Sequence, residues 1–194
     1  MKTATAALLS LGCVSAFQGP SASVKKSSLP ATAAEIASLP GISNECGNRV
    51  FDPLELGQWA DAEFLRKAEL SNGRSAMLAN VGWFWPKIVG TFDSDDVTTT
   101  DPIDAILQAD PQWWAQFLLL CGVIEGVKYR AELEGKSYTG DGPAAIDWAK
   151  QWDKLDKTKK ADMRLKELKN GRLAMIGFAS YVAAYFIPGS VPAL

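Results

Sequence analysis

The chain reads as an all-α membrane protein with three transmembrane helices, the first and third crossed and related by pseudo-twofold symmetry. Three observations predict this. A ten-residue phrase occurs twice, ELSNGRSAML at 69–78 and ELKNGRLAMI at 167–176, with seven identical positions and starts 98 residues apart. The apolar residues gather in three blocks, 66–85, 113–127 and 167–187. The connections are sorted by charge: residues 128–164 carry nine Lys/Arg, whereas 87–112 carry one, Lys87, and six aspartates.

The blocks predict helices over about 63–86, 111–130 and 162–187. None is a run of 18 uncharged apolar residues, so length carries the argument. The third block has 21 residues, about 31 Å of helix, which matches a hydrocarbon core of about 30 Å. Pro86 and Pro188 are placed to stop the first and third helices. The positive-inside bias puts 128–164 and the N-terminus on the translocon-facing side, and 87–112 and the C-terminus on the far side. A charge run is otherwise often just a solvated face.

With 194 residues the chain is long enough for one domain with a real core, and its net charge of −2 excludes a nucleic-acid footprint. Histidine is absent. That removes the commonest general base and the commonest transition-metal ligand. Cys13, Cys46 and Cys121 show neither metal-site spacing nor a disulfide framework. Cys46 reads as a loop thiol and Cys121 as a core thiol. No nucleophile–base pair or phosphate-binding loop appears, so an enzyme is not expected.

The N-terminus reads as targeting. Lys2 precedes an apolar stretch at 4–14, and Val14-Ser15-Ala16 resembles a signal-peptidase site. Residues 17–34 lack acidic side chains and carry Ser, Ala, Lys25 and Lys26. The expectation is a bipartite presequence, signal peptide at about 1–16 and transit-like segment at 17–34, ahead of a domain at 35–194. The alternative is a secretory signal with a flexible tail.

The repeated phrase has an internal geometry. Glu69 and Asn72 share a helix face, as do Glu167 and Asn170. Arg74 lies five residues after Glu69 and Arg172 five after Glu167, about 140° round the helix. Neither Arg easily neutralises the Glu of its own helix. Exchange solves this, Glu69 with Arg172 and Glu167 with Arg74, if the helices cross near a twofold axis. An unpaired charge in a bilayer costs roughly 2.5–3.5 kcal/mol even on insertion scales. Gly73, Ala76, Ala79 and Gly82, and Gly171, Ala174 and Gly177, supply small residues for close approach, though such spacing also suits ordinary packing.

Glu and Asn on one face are oxygen donors suited to hard cations such as magnesium. In a membrane that points to the magnesium of a chlorophyll. In the middle block, Glu125 is a further ligand candidate, with Lys128 three residues on. Its other reading is a helix-end charge. Gln116 is a weaker candidate, and a helix-bound amide is its alternative. Trp83, Trp85, Trp113 and Trp114 read as interfacial anchors, with pigment packing second.

The paired ExxNGRxAM phrases with GVIEG between them resemble the light-harvesting chlorophyll-binding family, from about Val50 to the C-terminus. Phe51-Asp52-Pro53-Leu54 is similar to its FDPLG signature, which lies beside a carotenoid. The resemblance implies chlorophyll magnesium ligands at Glu69, Asn72, Glu125, Glu167 and Asn170, with Arg74 and Arg172 paired to the glutamates of the opposite helix. It implies Phe51, Asp52 and Pro53 beside a carotenoid. Asn72 stands where His is common, and Ala184 where the family often has a Gln ligand. A second FDPLG is missing, and residues 145–155, AIDWAKQWDKL, stand near its place. The short loops, presequence and PGSVPAL ending resemble the red-lineage branch. This implies chlorophyll a, chlorophyll c and fucoxanthin or a related xanthophyll, in a plastid thylakoid, with a photosystem core (photosystem I rather than II), neighbouring antenna subunits and thylakoid lipids as partners.

The leading expectation is an antenna that passes excitation to a photosystem. A photoprotective relative is the second, with Asp93, Asp95, Asp96, Asp101, Asp104 and Asp110 as candidate sensors of acidification, or simply solvated loop charge. A pigment-free structural membrane subunit is the third.

Overall fold

The computed structural model describes residues 32–42, 44–91, 96–136, 147 and 151–191. The presequence expected at 1–34 lies outside this range except for its last three residues. Among the described residues the chain is helical without strands. The α-helices are α1 Ala33–Ser38, α2 Ala62–Val89, α3 Pro102–Gln108, α4 Pro111–Leu133 and α5 Lys157–Phe186. They include the three helices expected.

α1 opens on a capping box. Thr32 Oγ1 accepts the Glu35 N–H at 3.3 Å, and Glu35 Oε2 accepts the Thr32 N–H at 2.8 Å. α2 runs 28 residues and α5 runs 30, about 42 and 45 Å. Pro86 does not stop α2, as the sequence suggested. It sits inside the last turn, and its carbonyl accepts the Gly90 N–H at 2.9 Å. The stop is Gly90, whose φ of 91° suits a residue without Cβ. α5 ends two residues before Pro188, as anticipated. α3 was not anticipated. Asp101 precedes Pro102 at its first position, a start signal hidden within the aspartate-rich connection.

Among the described residues no helix is long and apolar enough to cross a membrane. This corrects the length argument. The helices are long enough, but charge interrupts them. Uncharged runs cover only 75–86, 111–124 and 173–186, about 18–21 Å each.

α2 and α5 pack side by side in the same direction. Leu70, Ala76, Trp83 and Leu168 are buried between them, with Arg66. Positions 98 apart meet at the contact: Gly73 with Gly171, and Trp83 with Tyr181, ring centroids 6.1 Å apart. Meetings of equivalent residues mark the pseudo-twofold axis. Trp83 also packs on Phe178 and Tyr185, so it is a core residue of the helix pair and not an interfacial anchor. Trp85, Trp113 and Trp114 remain exposed.

α4 stands largely apart. It buries Ala131 only, and Lys67 of α2 reaches Glu132 across 3.4 Å. Phe117, Leu118, Leu119 and Leu120 are all more than half exposed. Leaving such side chains in water forgoes about 1.5–3 kcal/mol each. The far ends of the helices are tied through α3. Asp101 pairs with Lys87 at 3.4 Å and Asp104 accepts from Tyr185 Oη at 3.0 Å. Asp96 accepts from Trp113 Nε1 at 3.4 Å. These aspartates hold structure as well as carrying loop charge; Asp93 and Asp95 lie outside the described residues.

Candidate functional site

The duplicated phrases meet where α2 and α5 come closest. A Cβ built on Gly73 would stand 3.1 Å from the Gly171 Cα, and one on Gly171 would stand 3.1 Å from the Gly73 Cα. Any side chain here would force the helices apart. The close approach brings each Arg to the other helix's Glu. Arg172 Nε donates to Glu69 Oε1 at 2.7 Å, and Arg74 Nε donates to Glu167 Oε1 at 2.5 Å. The exchanged pairing inferred from the 140° angle is present in both halves.

The Glu69 side has more parts than the sequence indicated. Arg66 Nη1 donates to Glu69 Oε2 at 2.8 Å. Arg66 Nη2 donates to the Pro40 carbonyl, and Arg172 Nη1 to the Gly41 carbonyl at 2.9 Å. Two consecutive carbonyls of the segment after α1 thus hold both guanidiniums on Glu69. Gly41 has a φ of +121°, and a Cβ there would stand 3.2 Å from Arg172 Nη2. Only glycine fits that backbone and that space. Arg66 marked no more than the start of an apolar block in the sequence. Its recurrence at the 98-residue spacing, as Arg164, was the available signal.

Ligand donors remain. Each oxygen of Glu69 meets one guanidinium, and a carboxylate oxygen has a second lone pair. Glu167 Oε2 has no protein partner among the described residues. Asn72 is exposed, and its Nδ2 donates to the Ala68 carbonyl at 2.9 Å, which leaves the lone pairs of Oδ1 without a hydrogen bond among the described residues. Asn170 is exposed as well. Paired carboxylates and amide oxygens are donors that would suit a magnesium already held in a macrocycle. Among the described residues no group of three acidic, Cys or His side chains gathers as a free-metal site.

The structure does not bring the α4 candidates to this centre. Glu125 is exposed and pairs with Lys128 Nζ at 2.6 Å, the same-helix pair foreseen. Gln116 is exposed on α4. Cys46 is an exposed thiol and Cys121 is half-buried on α4.

Asp52 has a definite local role. Its carboxylate accepts the N–H groups of Leu56 and Gly57 at 2.9 and 2.8 Å, capping a 3₁₀ turn at Leu56–Trp59. Phe51 is 78 % exposed, and its loop lines a groove of about 570 Å³ where the segment 36–57 lies against α2 and α5. The second FDPLG, absent as a string, has a structural substitute. Asp147 accepts the N–H of Trp152, five residues on, at 2.8 Å, beside a 3₁₀ turn at Trp152–Lys154.

Residues 35–186 match the family described as chlorophyll A-B binding protein. The chain belongs to that family. It is a family of pigment-binding light-harvesting proteins rather than enzymes. One relative is a fucoxanthin-chlorophyll a-c binding protein of Trieres chinensis, 30 % identical over 99 % of this chain and 98 % of the relative. Another is fucoxanthin-chlorophyll a-c binding protein C of Phaeodactylum tricornutum, 33 % identical over 68 % of this chain and 71 % of the relative. A third is light-harvesting complex stress-related protein 1 of Chlamydomonas reinhardtii, 32 % identical over 75 % of this chain. The chain spans 63 % of the length of that relative.

Proposed function

We propose that this chain is a thylakoid antenna protein that binds chlorophyll a, chlorophyll c and a xanthophyll of the fucoxanthin type, and passes excitation to a photosystem, photosystem I by preference. The observation that carries the reading is the reciprocal pairing of Glu69 with Arg172 and of Arg74 with Glu167 about the Gly73–Gly171 contact. It gives two carboxylates, each paired with a guanidinium of the opposite helix and partly exposed, at a rigid crossing. The exposed apolar faces of α2, α4 and α5 need a covering of pigment and lipid, which supports three membrane crossings despite the charges that interrupt the helices.

In this reading Glu69 and Glu167 hold chlorophyll magnesium, with Asn72, Asn170, Glu125 and, less directly, Gln116 as further oxygen donors. Chlorophyll supplies the excited state. The chain's own residues set where each pigment sits: Arg172 and Arg66 fix the Glu69 carboxylate, Arg74 fixes Glu167, and the glycine contact fixes the distance between the two. Phe51 and Asp52, which line the 570 Å³ groove, border a carotenoid there with Pro53 next in the loop, and Asp52 also shapes that loop. Residues 128–164 face the stroma, and the C-terminus the lumen.

The absorption spectrum and pigment-to-protein ratio of the isolated native complex test this. Stoichiometric chlorophyll a and c with a xanthophyll are expected. A pigment-free preparation would leave only a structural subunit. Co-purification with photosystem I rather than photosystem II tests the preferred partner.

The relatives named as stress-related favour a second reading, energy dissipation. Fluorescence lifetimes of the complex near pH 7 and near pH 5 separate the two; a shortened lifetime in acid would support dissipation, and an unchanged one the antenna.

A further inference from the structure

Two cations share one indole at the head of α5. Lys160 Nζ lies 5.7 Å and the Arg164 guanidinium 5.5 Å from the centre of the Trp152 ring. All three residues are half-buried. The loop holds the indole in place, since the Trp152 backbone N–H donates to Asp147 at 2.8 Å and the 3₁₀ turn Trp152–Lys154 follows. Lys160 and Arg164 are four residues apart, a spacing at which like charges on a helix repel. Among the described residues no carboxylate pairs with Lys160. The nearby cations Lys166 and Lys169 are engaged, by Asp162 and by Glu45, each at 2.7 Å. The indole N–H of Trp152 is buried and has no acceptor among the described residues. A buried donor left without an acceptor is costly. The cluster lacks an acceptor that also neutralises positive charge.

An anionic oxygen meets both needs, and the setting indicates its carrier. Residues 150–166 carry seven Lys/Arg and three aspartates, a net +4 within a chain of net charge −2. Glu167 opens the apolar block of α5. Arg164 and Lys160 stand three and seven residues before it, about 4.5 and 10 Å along the axis. That range takes in a headgroup layer of about 5–7 Å. Tryptophan is at home at that level, and cations there draw anionic lipid. We propose that Trp152, Lys160 and Arg164 form a binding site for the headgroup of an anionic lipid, a phosphodiester or a sulfonate, with the indole N–H and both cations on its oxygens. The inference rests on the membrane reading of the chain and adds to it a lipid of defined charge at the entry of α5. Lys169 belongs to another face, about 140° round the helix from Arg164.

The test is a competition on the full chain, refolded with chlorophyll and xanthophyll, between equimolar phosphatidylglycerol and monogalactosyldiacylglycerol in detergent micelles. Mass spectrometry quantifies the lipid retained once free micelles are removed. The wild-type complex should retain phosphatidylglycerol preferentially, and excess inorganic phosphate should not displace it. Lys160→Gln should lower that preference about fivefold, the equivalent of about 1 kcal/mol for one lysine near a lipid anion. Trp152→Phe keeps the ring, removes the donor, and should lower it by a similar factor. Lys166→Gln removes the same charge from the same helix, but one already paired with Asp162, and should leave the preference unchanged. Chlorophyll content and helical circular dichroism equal to wild type establish that each variant is folded, and the wild-type competition decides even where a variant is not. An unchanged preference in folded Lys160→Gln, an equal fall in Lys166→Gln, or displacement by phosphate would overturn the inference while leaving the antenna reading intact. So would the absence of any preference in wild type, which would point instead to an acidic protein neighbour. A wild-type chain that takes up no chlorophyll would overturn the antenna reading itself.

Discussion

Gly73 and Gly171 face each other across the helix contact, each leaving only 3.1 Å between an added Cβ and the other's Cα. The neighbouring atoms are backbone, so a methyl group has no flexible side chain to displace. Gly73→Ala and Gly171→Ala should each destabilise the pair by about 1–3 kcal/mol through overpacking. Gly82→Ala, which meets nothing within 4 Å, should be close to neutral. Thermal unfolding of the three variants, followed by circular dichroism, compares them.

Arg172 serves a glutamate on the other helix. Arg172→Leu removes its bonds to Glu69 and to the Gly41 carbonyl. The expected cost is about 1.5–3 kcal/mol for the charged hydrogen bond alone, with loss of the pigment assigned to Glu69. Pigment analysis of Arg172→Leu beside Glu69→Gln checks this. Full pigment content and unchanged stability in Arg172→Leu would refute the pairing's importance.

Asn80 bridges the helices, its Nδ2 donating to the Ala174 carbonyl at 2.9 Å, where its pseudo-equivalent, Phe178, has no polar group. Asn80→Leu should cost about 0.5–1.5 kcal/mol, the net worth of one such bond. The Ala174 carbonyl keeps its place in the helix. Equilibrium unfolding in denaturant gives the difference.

The capping box of α1 carries a pH dependence. The Thr32 N–H and hydroxyl, bonded to Glu35, hold its carboxyl below the ordinary Glu range. A lowered folded pKa means that the stabilisation is present above the unfolded pKa and fades as pH falls through the folded one. Amide exchange in α1 should therefore quicken in acid below the usual Glu pKa. Glu35→Gln should flatten that response.

Much of the crossing was legible from spacing. The 140° between Glu69 and Arg74 ruled out easy self-neutralisation, and the duplicate supplied the missing partner. Arg66 escaped because nothing local marks it as different from any helix-start cation; its recurrence as Arg164 was the one signal in the sequence, and its role shows only in its distant partner carbonyls. Pro40 and Gly41 act through backbone oxygens, which every residue has. Asn80 was visible as an amide inside an apolar run, but its reach to Ala174 depends on how closely two glycines let the helices approach. Trp83 shared the composition of the interfacial tryptophans, and only its heading into the pair set it apart.

The sequence by itself determined the number and order of the long helices, their duplicated charged motif and the oxygen chemistry of its donors. These follow from local periodicity and residue type, which act over a few turns. Tertiary structure alone decided which carbonyls clamp the guanidiniums, where α2 ends, and that α4 stays apart from the crossed pair. Those outcomes depend on contacts between segments as much as 131 residues apart, whose geometry is set by packing and not by any local preference.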